Sequence, residues 1–291
     1  DSSQTIMDCL LREAGHKGVD IRLQAAVQRL EPQSGGGFHL DGEPFDHVIV
    51  ATGGSPKRSG LAWLEVLGHT VNDPVPSLFT FNMPDEDVTA LMGVVVPDAL
   101  VRIQGTKLSQ QGPVLIPHWG MSGPAVLKLS AWGARDLAER GYAFSVQINW
   151  IGIPNATEAA ATMDAAVDEM RKKKVANACP FELPKKFWAY LLERAEIPAD
   201  AVWLDLGKKA KNKLLNTLLN DVYEVRGKTT FKEEFVTCGG VTLGEVDFHT
   251  MQSRVVPGLY FAGEVLDVDG VTGGFNFQAA WTTGFVAGRL G

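Results

Sequence analysis

An apolar run that ends directly in two glycines, VIVATGG at residues 48–54, narrows the choice of fold more than any other segment. Its apolar residues do not alternate with polar ones, which predicts a strand buried on both faces, as in the sheet of an α/β domain. Glycines at the carboxyl end of such a strand let a ligand approach the backbone, and ligands of open α/β sheets bind at that edge. We therefore expect an α/β domain with a ligand site here, although a plain turn would use the same glycines.

The start of the chain carries the pattern of this same α/β domain. Ser2 or Ser3 can cap an amphipathic helix, and Gly15 provides a signal for its end. Apolar alternation over residues 19–23 predicts a strand, and two further short strands are predicted between residues 27 and 40. The order helix, strands, buried strand and glycine turn is typical of the second half of a nucleotide-binding domain.

The end of the chain returns to this pattern after two segments of different character. GLYFA at 258–262 predicts a strand, and the residues after a glycine-rich turn predict a helix over 276–290. Between the two ends, prolines among short strands indicate a mostly β segment, and alanine-rich helical spacing indicates a helical one. The predicted domains are the first part of the α/β domain at 1–75, a β-rich insertion at 76–153, a helical subdomain at 154–223, the return of the β-rich insertion at 224–240, and the last part of the α/β domain at 241–291.

The composition argues against several classes of function. Lys and Arg total 27 against 34 Asp and Glu, a net charge of −7, so no basic surface for nucleic acid or an anionic membrane is indicated. The three cysteines form no CxxC and no Cys/His cluster, which argues against disulfides and a bound metal. No apolar run of about 18 residues and no signal-peptide pattern occurs. We expect a cytoplasmic protein that acts on a small molecule, in an oligomeric state that the sequence leaves open.

Two further glycine-bearing segments are candidate ligand sites. The Gly-Glu pair at 263–264 follows the predicted strand at 258–262, so its carboxylate would stand at the sheet edge. There it would accept hydrogen bonds from a diol or ribityl chain, or it would simply be solvated. The segment GVTGGFNFQ at 270–278 leads into the last helix. Its backbone amides and the helix N-terminus favour an anionic ligand, and the glycines leave room for it.

Another segment, GMSGP at 120–124, nearly matches the nucleophile elbow G-x-S-x-G, but Pro124 takes the place of the last glycine. Ser122 with His118 four residues earlier would suit a serine hydrolase. A structural role for Ser122, capping a helix that Pro124 opens, explains the same residues. His118 and Trp119 could instead face a substrate.

The strand ends ATGG and AGE, with the glycine-opened helix, resemble FAD-dependent proteins of glutathione-reductase-like fold. More closely, TMQSRVVPGLYFAGEVLDVDGVTGGFNFQAAWTTGFVAG at 250–288 resembles the bacterial HI0933-like flavoprotein family. PSLFTFN at 76–82 and PHWGMSGPAVLKLS at 117–130 extend the similarity over most of the chain. The implied fold is α/β: a partial glutathione-reductase-like FAD-binding domain, interrupted by a mostly β insertion and a helical subdomain.

The resemblance implies an FAD site and assigns residues to it. Val27 would offer backbone contacts to adenine, and residues 52–54 would line the pyrophosphate. Glu264 would hold ribityl or ribose hydroxyls, and residues 273–276 would bring the last helix to the pyrimidine edge of the flavin. Phe275 stands where the family often has tyrosine, so no hydroxyl acts there. The implied cofactor-binding residues are Val27, Ala51, Thr52, Gly53, Gly54, Gly263, Glu264, Gly273, Gly274, Phe275 and Asn276.

The activity implied by the resemblance is that of an FAD-dependent oxidoreductase that reduces an activated C=C bond by hydride transfer through flavin N5. The family includes bile-acid intermediate reductases, and NADH or NADPH would supply the electrons. The resemblance assigns no catalytic residue. Two other classes stay open: a cofactor-free binding module, and a serine hydrolase that uses Ser122 and His118.

One motif of such flavoproteins does not occur in the 291 residues. These proteins bind the FAD pyrophosphate at a G-x-G-x-x-G turn between a strand and a helix. The glycines at 35–37 lead instead into Phe38-His39-Leu40. We therefore expect the chain to be a fragment of a flavoprotein and, by itself, to be inactive and to hold FAD weakly or not at all.

Overall fold

The computed structural model describes residues 2–229 and 236–290. The chain divides into two compact units, Asp1–Val48 and Ile49–Gly291. Eight α-helices lie in the described residues: α1 (Ser3–His16), α2 (Ala62–Val66), α3 (Pro124–Trp132), α4 (Ala134–Glu139), α5 (Ala156–Glu169), α6 (Lys185–Arg194), α7 (Lys208–Leu219) and α8 (Phe275–Ala287). No helix in that part of the chain is both long enough and apolar enough to cross a bilayer.

The strands of the described residues are short, and most pair antiparallel. They are β1 (Leu30–Pro32), β2 (Phe38–Leu40), β3 (Glu43–Phe45), β4 (Val48–Val50), β5 (Val71–Ser77), β6 (Thr80–Asn82), β7 (Val95–Ile103), β8 (Ser109–Leu115), β9 (Gly120–Met121), β10 (Ala143–Asn149), β11 (Asp221–Arg226), β12 (Lys228–Thr229), β13 (Val236–Val241), β14 (Val246–Asp247), β15 (Gln252–Ser253) and β16 (Leu259–Phe261). The architecture is mixed α/β.

The first unit contains α1 and the antiparallel sheet β1-β2-β3. Ser2 is the N-cap of α1, since its side chain accepts a hydrogen bond from the backbone N–H of Gln4 at 3.2 Å. This confirms the predicted helix start, but the helix runs past Gly15 to His16. The strand predicted over residues 19–23 is wrong: these residues are exposed and pair with no strand of the described chain. A strand persists only where its backbone finds a partner, so alternation alone was insufficient.

The second unit holds four sheets, with strand orders β11-β10-β7-β8, β12-β6-β9, β13-β5 and β14-β15-β16-β4. In the first of these, β11 alternates strictly between buried and exposed residues, and Tyr223 and Val225 point into the core. Helices α3, α5, α6 and α7 contribute to the same core. Trp150, Phe187, Trp188 and Trp203 are among its largest fully buried side chains. This core supports the sheets that carry the candidate site.

Strand β4 departs from its predicted burial. Val50 is 4% exposed, but Ile49 is 40% exposed, so the expectation of burial on both faces is wrong. Successive side chains of a strand point to opposite faces, and in the described residues only the Val50 face is covered. The strand therefore supplies a sheet edge rather than the middle of a buried layer.

The predicted domain boundaries remain a prediction. The segment predicted as helical, 154–223, contains α5, α6 and α7, and Asn155 caps α5 by accepting from the backbone N–H groups of Thr157 and Glu158. Strand β5 runs across the predicted boundary at 75/76 and pairs with β13. The last helix, predicted over 276–290, spans Phe275–Ala287.

Candidate functional site

The second unit brings the ends of β4 and β16 together. The carbonyl of Val50 accepts a hydrogen bond from the N–H of Ala262 at 2.9 Å, so both glycine motifs emerge at one sheet edge. A Cβ atom on Gly54 would lie 2.7 Å from Thr237 Oγ1 and 3.2 Å from Glu264 Cδ. Because the first distance is shorter than real Cβ contacts, position 54 requires glycine or a shift of Thr237. The sequence had predicted a sheet-edge position for each of these strand ends.

Glu264 is held at this edge by one of its two carboxylate oxygens. Its Oε1 accepts a hydrogen bond from the backbone N–H of Thr237 at 2.7 Å. Within residues 2–229 and 236–290, no group donates to Oε2. The side chain is half-buried and lines a cavity. Oε2 is therefore oriented by the protein and available to a hydroxyl of a ligand.

The cavity beside Glu264, here called the helix-end cavity, has a volume of about 470 Å³. Its wall is formed by the end of β16 and the first turns of α8. The lining residues that matter here are Gly263, Glu264, Gly273, Gly274, Asn276 and Phe277. Gly273 and Gly274 have φ angles of 119° and 87°, conformations that favour glycine. A Cβ on Gly274 would meet no atom within 4 Å, so this part of the wall is open to a ligand.

The N-terminus of α8 faces this cavity without a side-chain cap. Gly274 is the N-cap residue, and the first hydrogen bond of the helix runs from Gln278 N–H to Gly274 C=O at 2.9 Å. In the described part of the chain, the backbone N–H groups of Phe275, Asn276 and Phe277 have no acceptor. Such a helix end stabilises a nearby negative charge, including a partial one.

Asn276 closes the loop that precedes α8. Its Oδ1 accepts from the N–H of Gly270 at 2.7 Å, and its Nδ2 donates to the C=O of Gly270 at 3.0 Å. These two bonds join both backbone polar groups of Gly270 to the side chain of Asn276. The Asn276 amide is thus used to shape the loop, although the residue also lines the helix-end cavity.

A second cavity, here called the Trp132 cavity, borders the same loop. It has a volume of about 620 Å³, and Val271 lines both cavities. The residues of its wall that matter here are Trp132, Arg135, Cys238, Asp269, Val271 and Phe275. Burial, assisted by the charge of Asp269, raises the pKa of the Cys238 thiol to about 12. Sequence reasoning missed this cavity because β13, α3 and the loop meet only in the folded chain.

The remaining predicted cofactor residues are placed as follows. Ala51 and Thr52 are exposed, Gly53 is half-buried, and none of the three lines either cavity. Phe275 lines the Trp132 cavity rather than the helix-end cavity. Val27 lies in the first unit, where its side chain is exposed. A cofactor role for these residues stays a prediction.

The predicted hydrolase pair is not assembled in the described structure. Among the described residues, no hydrogen bond joins Ser122 to His118, whose exposed ring packs edge-on against Trp119. The backbone of Ser122 pairs with Leu115 through two hydrogen bonds of 2.8 and 2.9 Å. The predicted helix cap at Ser122 is also wrong: Gly123, with a φ of 95°, is the N-cap of α3.

A buried serine–histidine–glutamate arrangement occurs elsewhere in this unit. Ser253 Oγ lies 3.0 Å from His69 Nε2, and His69 Nδ1 lies 3.1 Å from Glu245 Oε2. Ser253 Oγ also accepts the N–H groups of Val255 and Val256. Both Ser253 and His69 are buried and line neither cavity, so the arrangement fastens a turn to β5 rather than serving a substrate.

The paired strand ends and the glycine-opened helix define an α/β protein with a Rossmann-like ligand edge. The family model for the HI0933-like protein Rossmann domain matches residues 1–290, and the chain belongs to this family. The resemblance inferred from the sequence is thereby confirmed.

Three relatives each share 30% identity with nearly the whole chain. One is a 3-dehydro-bile acid delta(4,6)-reductase from Clostridium scindens, aligned over 309 residues, 99% of this chain and 73% of the relative. The others are named ribosomal RNA dihydrouridine synthase. The Escherichia coli protein aligns over 305 residues, 99% of this chain and 72% of the relative, and the Haemophilus influenzae protein over 301 residues, 98% and 72%.

Proposed function

We propose that the protein is a flavin-dependent oxidoreductase that reduces a C=C bond conjugated to a carbonyl, and that the flavin is FAD. The observation that carries the proposal is the helix-end cavity, where Glu264 and the uncapped N-terminus of α8 face one space. Family membership supports the same class of enzyme.

The names of the relatives describe related chemistry on different molecules. A delta(4,6)-reductase of a 3-dehydro compound saturates double bonds near a ketone, and a dihydrouridine synthase saturates the ring double bond next to a uracil carbonyl. Both reactions add two electrons and two protons to an electron-poor C=C bond. The shared reaction therefore supports the class of bond reduced, while the substrate itself differs between the relatives.

The residues of the helix-end cavity suit the groups that a flavin presents. The free oxygen of Glu264 would accept hydrogen bonds from ribityl hydroxyls, which are donors. The N–H groups that open α8 would face the carbonyl edge of the flavin ring, and a helix N-terminus stabilises negative charge by roughly 0.3 to 2 kcal/mol. The positive φ angles of Gly273 and Gly274 keep side chains away from that edge. When bound, the flavin would supply the hydride.

The electron donor in this proposal is NADH or NADPH, and the second reactant is a small molecule. An overall charge of −7 opposes binding to a polyanion. The hydrolase alternative loses its support because Ser122 and His118 form no hydrogen bond in the described structure.

The proposal is tested by Glu264→Gln in the protein as its gene encodes it. The substitution keeps the size of the side chain but removes its charge. Hydrogen bonds to charged groups contribute roughly 1.5 to 3 kcal/mol, so FAD affinity should fall about tenfold to a hundredfold. Quenching of flavin fluorescence measures the affinity, and bleaching of the flavin by NADH or NADPH measures its reduction.

A matched control is Glu139→Gln, which removes an exposed carboxylate at the end of α4. It should leave FAD affinity unchanged. Equal affinities for Glu264→Gln and Glu139→Gln would remove Glu264 from the site, and a protein that binds no FAD would overturn the proposed function.

A further inference from the structure

We propose that the Trp132 cavity binds a flat, uncharged fused-ring compound that carries a conjugated carbonyl, with its oxygen on Arg135 and its rings against Trp132 and Phe275. That this compound is the molecule reduced rests on the proposed function. The binding itself does not, because no wall of the cavity requires a cofactor.

The size and walls of the cavity favour a small apolar ligand. Its volume of about 620 Å³ lies within the range of about 300 to 1,000 Å³ that is usual for small-molecule sites. Ala131, Ala134 and Val271 add short apolar side chains to the wall. A ligand of one to four fused rings could enter without displacing the core.

Two aromatic side chains on the cavity wall are largely exposed. Trp132 is 66% exposed and Phe275 is 59% exposed, although both line the cavity. They come from different elements, the last residue of α3 and the first residue of α8. Aromatic faces pack well against flat, apolar partners, and a fused-ring compound would remove both from water.

The charges on the wall exclude an anionic ligand. Arg135 donates from Nη2 to both carboxylate oxygens of Asp267, at 2.7 and 2.9 Å, so its charge is already balanced. Asp136 and Asp269 place two further carboxylates on the wall. Asp136 is paired with Arg140 at 3.0 Å, and Asp269 accepts from Ser77 Oγ at 2.7 Å. A phosphate or carboxylate inside the cavity would meet no unbalanced cation.

Arg135 nevertheless keeps hydrogen-bond donors for a neutral acceptor. A guanidinium has five N–H donors, and Asp267 is contacted through Nη2 alone. In the residues that the structure describes, nothing accepts from Nε or Nη1. A charge-balanced arginine with free N–H groups suits a carbonyl oxygen, which accepts hydrogen bonds but brings no net charge. These features together select a neutral carbonyl compound over a nucleotide.

The test is a calorimetric titration of the 291-residue chain, without flavin, using androst-4-ene-3,17-dione as a neutral fused-ring enone. We expect saturable binding. Ala131→Phe, which fills the cavity from a partly exposed position, should weaken it at least about tenfold, and so should the surface substitution Trp132→Leu. Trp281→Leu is the matched control, because Trp281 is also exposed, at 56%, but lies outside the cavity; its affinity should be unchanged.

The role of Arg135 has its own comparison. Arg135→Leu should lower the affinity for the dione about tenfold. It should leave unchanged the affinity for androst-4-ene, the analogue without carbonyl groups. Equal losses for both ligands would show that Arg135 only packs, and would overturn its assignment.

Failure of this inference can be distinguished from failure of the proposed function. FAD binding with no dione binding would overturn the cavity assignment alone, and dione binding without FAD binding in the gene-encoded protein would overturn the proposed function alone. Wild-type affinity for the dione in both Ala131→Phe and Trp132→Leu would place the ligand elsewhere. Tighter binding of a uridine-containing RNA oligonucleotide than of the dione, abolished by Ala131→Phe, would also overturn the assignment.

Discussion

Replacing Asp221 by alanine should destabilise the second unit strongly, because this carboxylate is the buried acceptor for three side chains. Asp221 is 4% exposed and begins β11. Its Oδ1 accepts from Arg194 Nε and Nη2 at 3.0 and 2.7 Å, and its Oδ2 accepts from Trp150 Nε1 at 2.9 Å and from the Tyr223 hydroxyl. Burial, with Asp221 beside it, raises the pKa of Tyr223 well above its usual value, so its hydroxyl stays a donor.

The magnitude follows from what the substitution leaves behind. Each hydrogen bond to a charged group contributes roughly 1.5 to 3 kcal/mol, but bonds that share one carboxylate are not additive. Removing Asp221 also leaves the half-buried guanidinium of Arg194 without a counter-charge, and breaking a buried ion pair costs about 3 to 5 kcal/mol. We therefore expect the free energy of unfolding to fall by about 3 to 5 kcal/mol in Asp221→Ala.

Urea unfolding at neutral pH, followed by far-ultraviolet circular dichroism, measures the loss. The matched control is Asp85→Ala. The partner of Asp85 is Arg226, which ends the same strand, β11, but both side chains of this pair are exposed to solvent. An exposed pair contributes roughly 0 to 1 kcal/mol. The double variant Asp221→Leu with Arg194→Met should recover most of the lost stability, because it leaves no unpaired charge. A loss in Asp221→Ala no larger than in Asp85→Ala would refute this reasoning.

Two further predictions concern titratable groups. Burial alone would raise the pKa of Glu245, but hydrogen bonds from Thr70 and His69 hold it below its usual value. A lowered folded-state pKa gives stability that is present above about pH 4.3 and is lost as the pH falls through the folded pKa. Glu245→Gln should therefore reduce the fall in melting temperature on the acid side of a plot against pH. An unchanged plot would contradict this. Exposed Cys9 should react with iodoacetamide at pH 8 well before buried Cys238, whose pKa near 12 keeps the thiolate scarce. Peptide mass spectrometry measures the order of labelling, and faster labelling of Cys238 than of Cys9 would contradict the prediction.

Features set by neighbouring residues could be predicted from the sequence. Ser2 at the start of α1 was recognised from the serine itself. Strand β16 and helix α8 were recognised from an apolar run and a glycine turn. These signals lie within a few residues of the feature that they determine.

Features that depend on distant partners could not be predicted. The residues at 19–23 alternate correctly but pair with no strand in the part of the chain that the structure describes. Thr237, which holds Glu264, carries no motif, and His69 meets Ser253 from 184 residues away. The candidate ligand edge was thus predictable, whereas the contacts that shape it arise only from tertiary packing.

The two hydrogen bonds between Asn276 and Gly270 fasten the loop before α8 to the first turn of that helix. Residues of this loop line both the helix-end cavity and the Trp132 cavity, and Val271 lines both. A substitution that shifts this loop therefore changes the walls of both cavities. Substitutions in the walls of the two cavities are therefore expected to be non-additive, since they share this loop.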